Sequence, residues 1–150
     1  DIHRGRDTSL LTGEACATLI SARWVETDAS ITVGELEARM GSERQRVALF
    51  LDDHGRLIGS ANLSMLIVHA IAEGMDSPAI EGALEAGYAI RPSTNIVAAV
   101  KGMAERQIEY APVTDGQNSA VPLGVVFRAD LLEAHYDVVK RAREHEFGIT

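Results

Sequence analysis

Five places in the chain hold side chains that could do chemistry. Asp52, Asp53 and His54 stand together in DDHG, and two carboxylates beside an imidazole are a donor set for a cation. They also fall between two apolar runs, where Asp and Gly are ordinary turn residues, and a hairpin turn is the preferred reading. Glu144, His145 and Glu146 are consecutive on an expected helix. They therefore point in different directions, which suits a solvated tail better than a metal site. Cys16, the single cysteine, cannot close an internal disulfide and has apolar neighbours. It reads as a small core residue in a reducing compartment. His69 lies in the most apolar helix and reads as a satisfied buried histidine, not a ligand. Asp130, in RADLL, opens the last helix. A carboxylate there either complements the positive end of the helix or holds a ligand, and the residues leave both open. No nucleophile–base pairing, paired carboxylates, glycine-rich phosphate loop or CxxC motif appears in the sequence. The chemistry expected is recognition: no enzyme activity, no metal and no required cofactor.

Asp130 is positioned by a phrase that the chain uses twice. PLGVVFRADLL (122–132) is a short apolar strand, a glycine and a helix. RLIGSANLSML (56–66) repeats the plan, with Gly59 answering to Gly124 and Leu66 to Leu131, but with Met65 where Asp130 would stand. The likeness runs further back. Thr32 and Asn95 are both good N-cap residues, and Thr32 with Glu35 makes a capping box. From these caps Val33 matches Ile96, Leu36 matches Ala99 and Met40 matches Met103, at an offset of 63 positions. Past the turns DDHGR and DGQNSAV the offset is 65; insertions in turns are readily tolerated.

The expected elements follow. The first unit has strands near 47–51 and 57–61 and helices near 33–40 and 62–73. The second has strands near 88–90, 110–114 and 122–127 and helices near 96–106 and 128–146. GEACATLISA reads as a short helix, and EGMDSPAIEGALEAG as a linker with a short helix inside it. One such unit would be marginal alone. The expected fold class is therefore α/β (α+β): two pseudo-symmetric βαββα units packed sheet to sheet into one module.

The helix LSMLIVHAIA (63–72) has more apolar surface than one core can take. Leu63, Leu66, Ile67, Ala70 and Ile71 make the inward stripe, while Met65, Val68 and Ala72 lie on other faces. These three are expected at the contact of a homodimer. In the last helix Leu131, Leu132, His135, Val138, Val139 and Ala142 make one stripe. Hydrophobic content of 46% and charged content of 24% fit a globular chain of 150 residues. A net charge of -8 argues against a nucleic-acid partner. No run approaches the roughly 18 apolar residues of a membrane span, so no direct insertion of this stretch is expected.

In order, and twice over, GVVFRADLL (124–132), SITVGELEARM (30–40) and TNIVAAVKGM (94–103) resemble the tandem CBS domain pair, or Bateman module. The likeness covers roughly residues 22–134. The opening DIHRGRDTSLLTGEACATLISA resembles the stretch behind the last membrane helix of ClC-type chloride channels and transporters. That resemblance implies a regulatory and dimerising tail on the cytoplasmic face of a membrane, joined to the membrane-embedded part of the same polypeptide, with Arg4 and Arg6 as its inner flank. Other parents fit the same module: another transporter or a metabolic enzyme using it to sense nucleotides. A structural dimerisation domain with no ligand fits as well.

The CBS resemblance also implies roles. Asp130 would bind the ribose of an adenine nucleotide (ATP, ADP or AMP as a regulatory ligand), since a carboxylate accepts both hydrogen bonds of a ribose diol. Tyr88, Ala89, Ile90, Pro112 and Val113 would line the base. Phe127 stands where a phosphate-binding Ser or Thr is expected, so adenosine and its phosphates are expected to bind within a small factor of one another. The implied division is a lead-in over 1–21, a first unit over 22–73, a linker over 74–87, a second unit over 88–134 and a helical extension over 135–150.

Overall fold

The computed structural model describes residues 15–116 and 119–146. Helix α1 (Val33–Glu43) starts at Thr32, whose Oγ1 accepts the Glu35 N–H at 3.2 Å while Glu35 Oε1 accepts the Thr32 N–H at 3.2 Å. This is the expected capping box. Helices α2 (Leu63–Glu73) and α3 (Ile96–Arg106) are capped by the side chains of Asn62 and Asn95. Helix α4 spans Arg128–Glu146. Strands β1 (Val25–Thr27), β2 (Val47–Leu51), β3 (Leu57–Asn62) and β4 (Leu84–Glu85) form one sheet in that order; β5 (Tyr110–Gly116) and β6 (Ser119–Phe127) pair as a second. The chain is mixed α+β, as expected.

The two halves match in backbone detail. Helices α1 and α3 end at Arg44 and Gln107, both left-handed at φ 56° and ψ 41°. Thr27 pairs in parallel with Phe50, and 63 positions on, Ile90 forms a parallel bridge with Val113. That bridge is all that stands where a strand was expected over 88–90. Pro92 follows at once and has no N–H to continue the ladder. The expected helix in GEACATLISA is a 3-10 turn, Cys16–Leu19, with Gly13 and Glu14 outside the described residues. The linker holds another such turn, Ala79–Gly82, and then gives β4.

Each half completes the other's sheet. Strand β4, just before the second unit's opening bridge, pairs with β3 of the first unit. Ser21, just before β1, pairs with Val125 of β6, with its N–H 2.7 Å from the Val125 carbonyl and the return bond at 3.0 Å. Ser21 and Leu84 are 63 positions apart, so the exchange is reciprocal.

Period-two alternation divides the side chains. Ala48 and Phe50 of β2 pack on α1 and α2 with Val33, Leu36, Met40 and Leu66. Val47 and Leu49 face the other sheet, where they meet Tyr110 and Val125. Tyr110 Oη and Ser60 Oγ share a hydrogen bond of 2.8 Å across this interface. Burial pushes the Tyr110 phenol up to about 12 and the buried Cys16 thiol up to about 11. Ordinary values are 10.0 and 9.0, so above pH 9 the unfolded chain releases protons that the folded chain keeps. Stability is therefore full below pH 9 and falls as pH rises toward 12. The loss from Tyr110 is about 2 kcal/mol by pH 12. Urea midpoints at pH 8 and pH 11 measure it, and a midpoint that stays flat contradicts it.

The faces of α2 differ from the expected stripe. Leu66 is fully buried, and Leu63 and Ala70 pack on the same core, but Ile67 and Ile71 are exposed. Linker residues Ala79, Ile80 and Ala83 fill the core position that those two were expected to fill. Met65 is turned inward onto Tyr110, its sulfur 3.7 Å from Oη, and is not on the outer face. Val68 and Ala72 are exposed as expected. In α4, Leu131 and Val138 are buried, while Leu132 is exposed because Ala134 takes the place against the core.

Candidate functional site

Strand β6 delivers Asp130 to the surface one turn into α4. The Arg128 N–H donates to the Glu109 carbonyl at 2.8 Å and fixes that start, as the Leu63 N–H does with the Arg46 carbonyl at 3.2 Å in the other half. Asp130 Oδ2 lies 3.7 Å from Arg23 Nη2. The Arg23 guanidinium also covers the Phe127 ring, 5.1 Å from its centroid. Arg23, Arg44, Arg46, Phe127 and Asp130 line one cleft of about 360 Å³. The left-handed end of α1 places the two arginines: Arg44 closes the helix on the Gly41 carbonyl, and the chain leaves through Arg46 along the cleft wall. Three arginines lining one cleft of a chain with net charge -8 make it locally positive.

A second cleft, of about 530 Å³, shares Arg46 and Phe127 with the first. Its walls come in matched pairs from the two halves, Arg46 with Glu109, Val47 with Tyr110, and Asn62 with Phe127. It lies on the pseudo-twofold axis.

The structure brings Asp130 and Phe127 together but not the other expected binding residues. Tyr88 tucks under α3: its ring carries the Arg106 guanidinium at 4.0 Å, and its hydroxyl is buried without a partner. Tyr88 and Ile90 face the second unit's own core, and Ala89 faces the interface between sheets. That is the alternation of extended chain. Val113 belongs to the core, and Pro112 is buried in β5. None of the five lines the Asp130 cleft. Arg23, Arg44 and Arg46 were missed in the sequence. The signal was there: arginines at 44 and 46 flanking a single residue in an acidic chain.

The remaining candidates are structural. Asp52 Oδ1 accepts the N–H groups of His54 at 2.8 Å and Arg56 at 3.0 Å, a turn closed by its own side chain. Those bonds, the one from Arg56 first, hold its carboxyl below the usual range. Cys16 is buried, and its N–H donates to the Thr94 carbonyl at 3.0 Å. His69 was expected to be satisfied, but its Nε2 is buried with no partner; Gly82 lies close against its Cβ and Cγ. His145 is exposed near the end of α4, and Glu146 has no described side chain. Among the described residues no group of three His, Cys, Asp or Glu could hold a metal ion.

Residues 75–137 match the family model of the CBS domain. The CBS domain pair of protein MJ0100, in complex with 5'-methylthioadenosine and S-adenosyl-L-methionine, superposes with a TM-score of 0.68, at 17% identity over 80% of this chain and 94% of that one. The fold is that of a CBS domain pair. A CBS domain protein from Pyrobaculum aerophilum, complexed with AMP, aligns at TM-score 0.66 and 20% identity over 81% and 98% of the two chains. The cytosolic domain of the Mg2+ channel MgtE, in complex with ATP, aligns at 0.67 and 20% over 89% and 54%. No curated protein is similar in sequence.

The two halves of the fold differ at the Asp130 cleft. In the first half Met65 stands for Asp130 and Ala86 for Arg23, and both pack in the interface between the sheets. Gln107, Ile108 and Glu109 stand for Arg44, Gln45 and Arg46. The carboxylate and all three arginines thus occur on one side only.

Proposed function

We propose that this CBS pair is a regulatory module that dimerises and takes one adenine nucleotide per chain in the Asp130 cleft. The observation that carries the reading is a cleft of nucleotide size lined by Asp130 and three arginines, one of them paired with its carboxylate. The carboxylate suits a ribose diol, and the arginines suit phosphate. They replace the hydroxyl that Phe127 removed, so phosphates should count for more than the sequence suggested. The solved CBS proteins with AMP, ATP and S-adenosyl-L-methionine support an adenine compound as the ligand class. Binding would shift the two halves relative to each other and so bias an attached partner.

The parent we favour is a membrane transporter of the ClC chloride type, with this chain at its cytoplasmic face. The support is the resemblance of residues 1–22 to the stretch behind a last membrane helix. A magnesium transporter's soluble part among the similar folds keeps a metal-ion transporter as the alternative. None of the described helices is long and apolar enough to cross a membrane.

Ligand at ten times its dissociation constant should stabilise the fold by about 1.4 kcal/mol. The melting midpoint should rise by roughly 3–6 °C. Asp130→Ala should erase the rise and leave the ligand-free midpoint nearly unchanged, because Asp130 is well exposed. If no adenine compound moves the midpoint at millimolar concentration, the module is a structural dimerisation domain.

A further inference from the structure

We infer that Arg23 sets which adenine compounds the Asp130 cleft accepts, by holding the cleft's carboxylate until a phosphate replaces it. The inference rests on the reading of that cleft as the nucleotide site. Arg23 engages both groups that a nucleoside would use there. Its Nη2 is 3.7 Å from Asp130 Oδ2, and its guanidinium covers the Phe127 ring at 5.1 Å. A ribose diol needs the carboxylate oxygens, and a purine gains from an aromatic face. An entering nucleoside must therefore displace Arg23 from both.

What the ligand offers in return decides the balance. Adenosine gives the displaced guanidinium nothing. A nucleotide gives it phosphate oxygens, which match its planar fork, and Arg44 and Arg46 lie in the same cleft to share the charge. Arg23 thus opposes the bare nucleoside and favours its phosphates. With about two-thirds of its side chain exposed, the Arg23–Asp130 pair is weak enough to be exchanged readily.

Arg23 also sits where such an exchange can be felt. Its N–H and Nε donate to Ser21 Oγ at 3.0 and 3.1 Å, and Ser21 is bridged to the second unit's sheet. Two residues on, Val25 begins the first unit's sheet. Between them Trp24, the single tryptophan of the chain, packs in the interface. When Arg23 changes partner, the strap joining the two sheets is pulled beside a built-in fluorophore.

The test is titration of the wild-type chain, Arg23→Gln, Arg23→Lys and Asp130→Ala with adenosine and with ATP, followed by calorimetry and by Trp24 emission. The wild type should prefer ATP. Arg23→Gln should tighten adenosine by about two- to fivefold, the value of an exposed pair removed, and weaken ATP by about tenfold. Arg23→Lys should fall between, keeping the charge without the fork. The Trp24 response to ATP should shrink in Arg23→Gln. If the ATP-to-adenosine ratio is the same in Arg23→Gln while Asp130→Ala abolishes both, the inference is overturned and the cleft reading stands. If both ligands bind Asp130→Ala as they bind the wild type, the cleft reading falls and the inference with it.

Discussion

Gly124→Ala is expected to be the most damaging single-methyl change in the chain. A Cβ built on Gly124 would lie 2.5 Å from the Ser21 carbonyl oxygen and 2.7 Å from Ile20 Cγ2, at a φ of +156°. The first neighbour is backbone and cannot swing away. The bridge must open, and with it go the two bonds between Ser21 and Val125, each worth about 1 kcal/mol. The backbone strain adds about another 1 kcal/mol. A loss of about 3 kcal/mol lowers the midpoint by roughly 10 °C in a chain of this size. The matched position is the control. A Cβ on Gly59 would be 3.3 Å from the Leu84 carbonyl oxygen, a contact that a small shift relieves. Gly59→Ala should therefore lose clearly less. Equal midpoints for the two variants would contradict the account.

Ile71→Asp and Val68→Asp should each turn a dimer into a folded monomer. These side chains are 83% and 67% exposed, and Ile67 and Met75 lie exposed in the same stretch of chain. Four large apolar side chains grouped on and just after one helix make a patch that water disfavours, and a second copy would cover it by symmetry. A charge placed in that contact would be buried without a partner, which such contacts do not tolerate. Neither residue supports the core of its own chain, so melting of the monomer should change little. Light scattering decides it: a wild-type chain that is monomeric at high micromolar concentration removes the dimer.

How far the sequence could be read depended on how local each signal was. Caps are local, so Thr32 and Asn95 marked helix starts that the structure shares. Helix α3 and helix α4 lie where they were expected, because their apolar stripes are long. The strand Val25–Thr27 is three residues long with two of them polar, and left no pattern to find. Ile67 and Ile71 were misplaced because periodicity reports how wide an apolar face is, not which neighbour covers it. The neighbour was a linker that comes later in the chain. The site was legible in Asp130 and Phe127, which a repeated phrase exposes by contrast with Met65. Its arginines come from the lead-in to one strand and the end of one helix, and only the fold brings them to Asp130. The five residues assigned to the base were carried by resemblance alone; Tyr88, Ile90 and Val113 pack in the second unit's core, Ala89 in the interface between sheets, and none of the five lines the Asp130 cleft.

The reciprocal pairing of Ser21 with β6 and of β4 with β3 has a consequence for how such a chain is made. During synthesis the first unit emerges with an open sheet edge that stays open until Leu84 and Glu85 leave the ribosome. Ser21 has no strand to join until Val125 follows. The lead-in to β1 thus waits for the last strand of the module, and the module closes as a clasp only once β6 has been made. A gene that lost either half would leave the other with an unpaired edge, an invitation to aggregation.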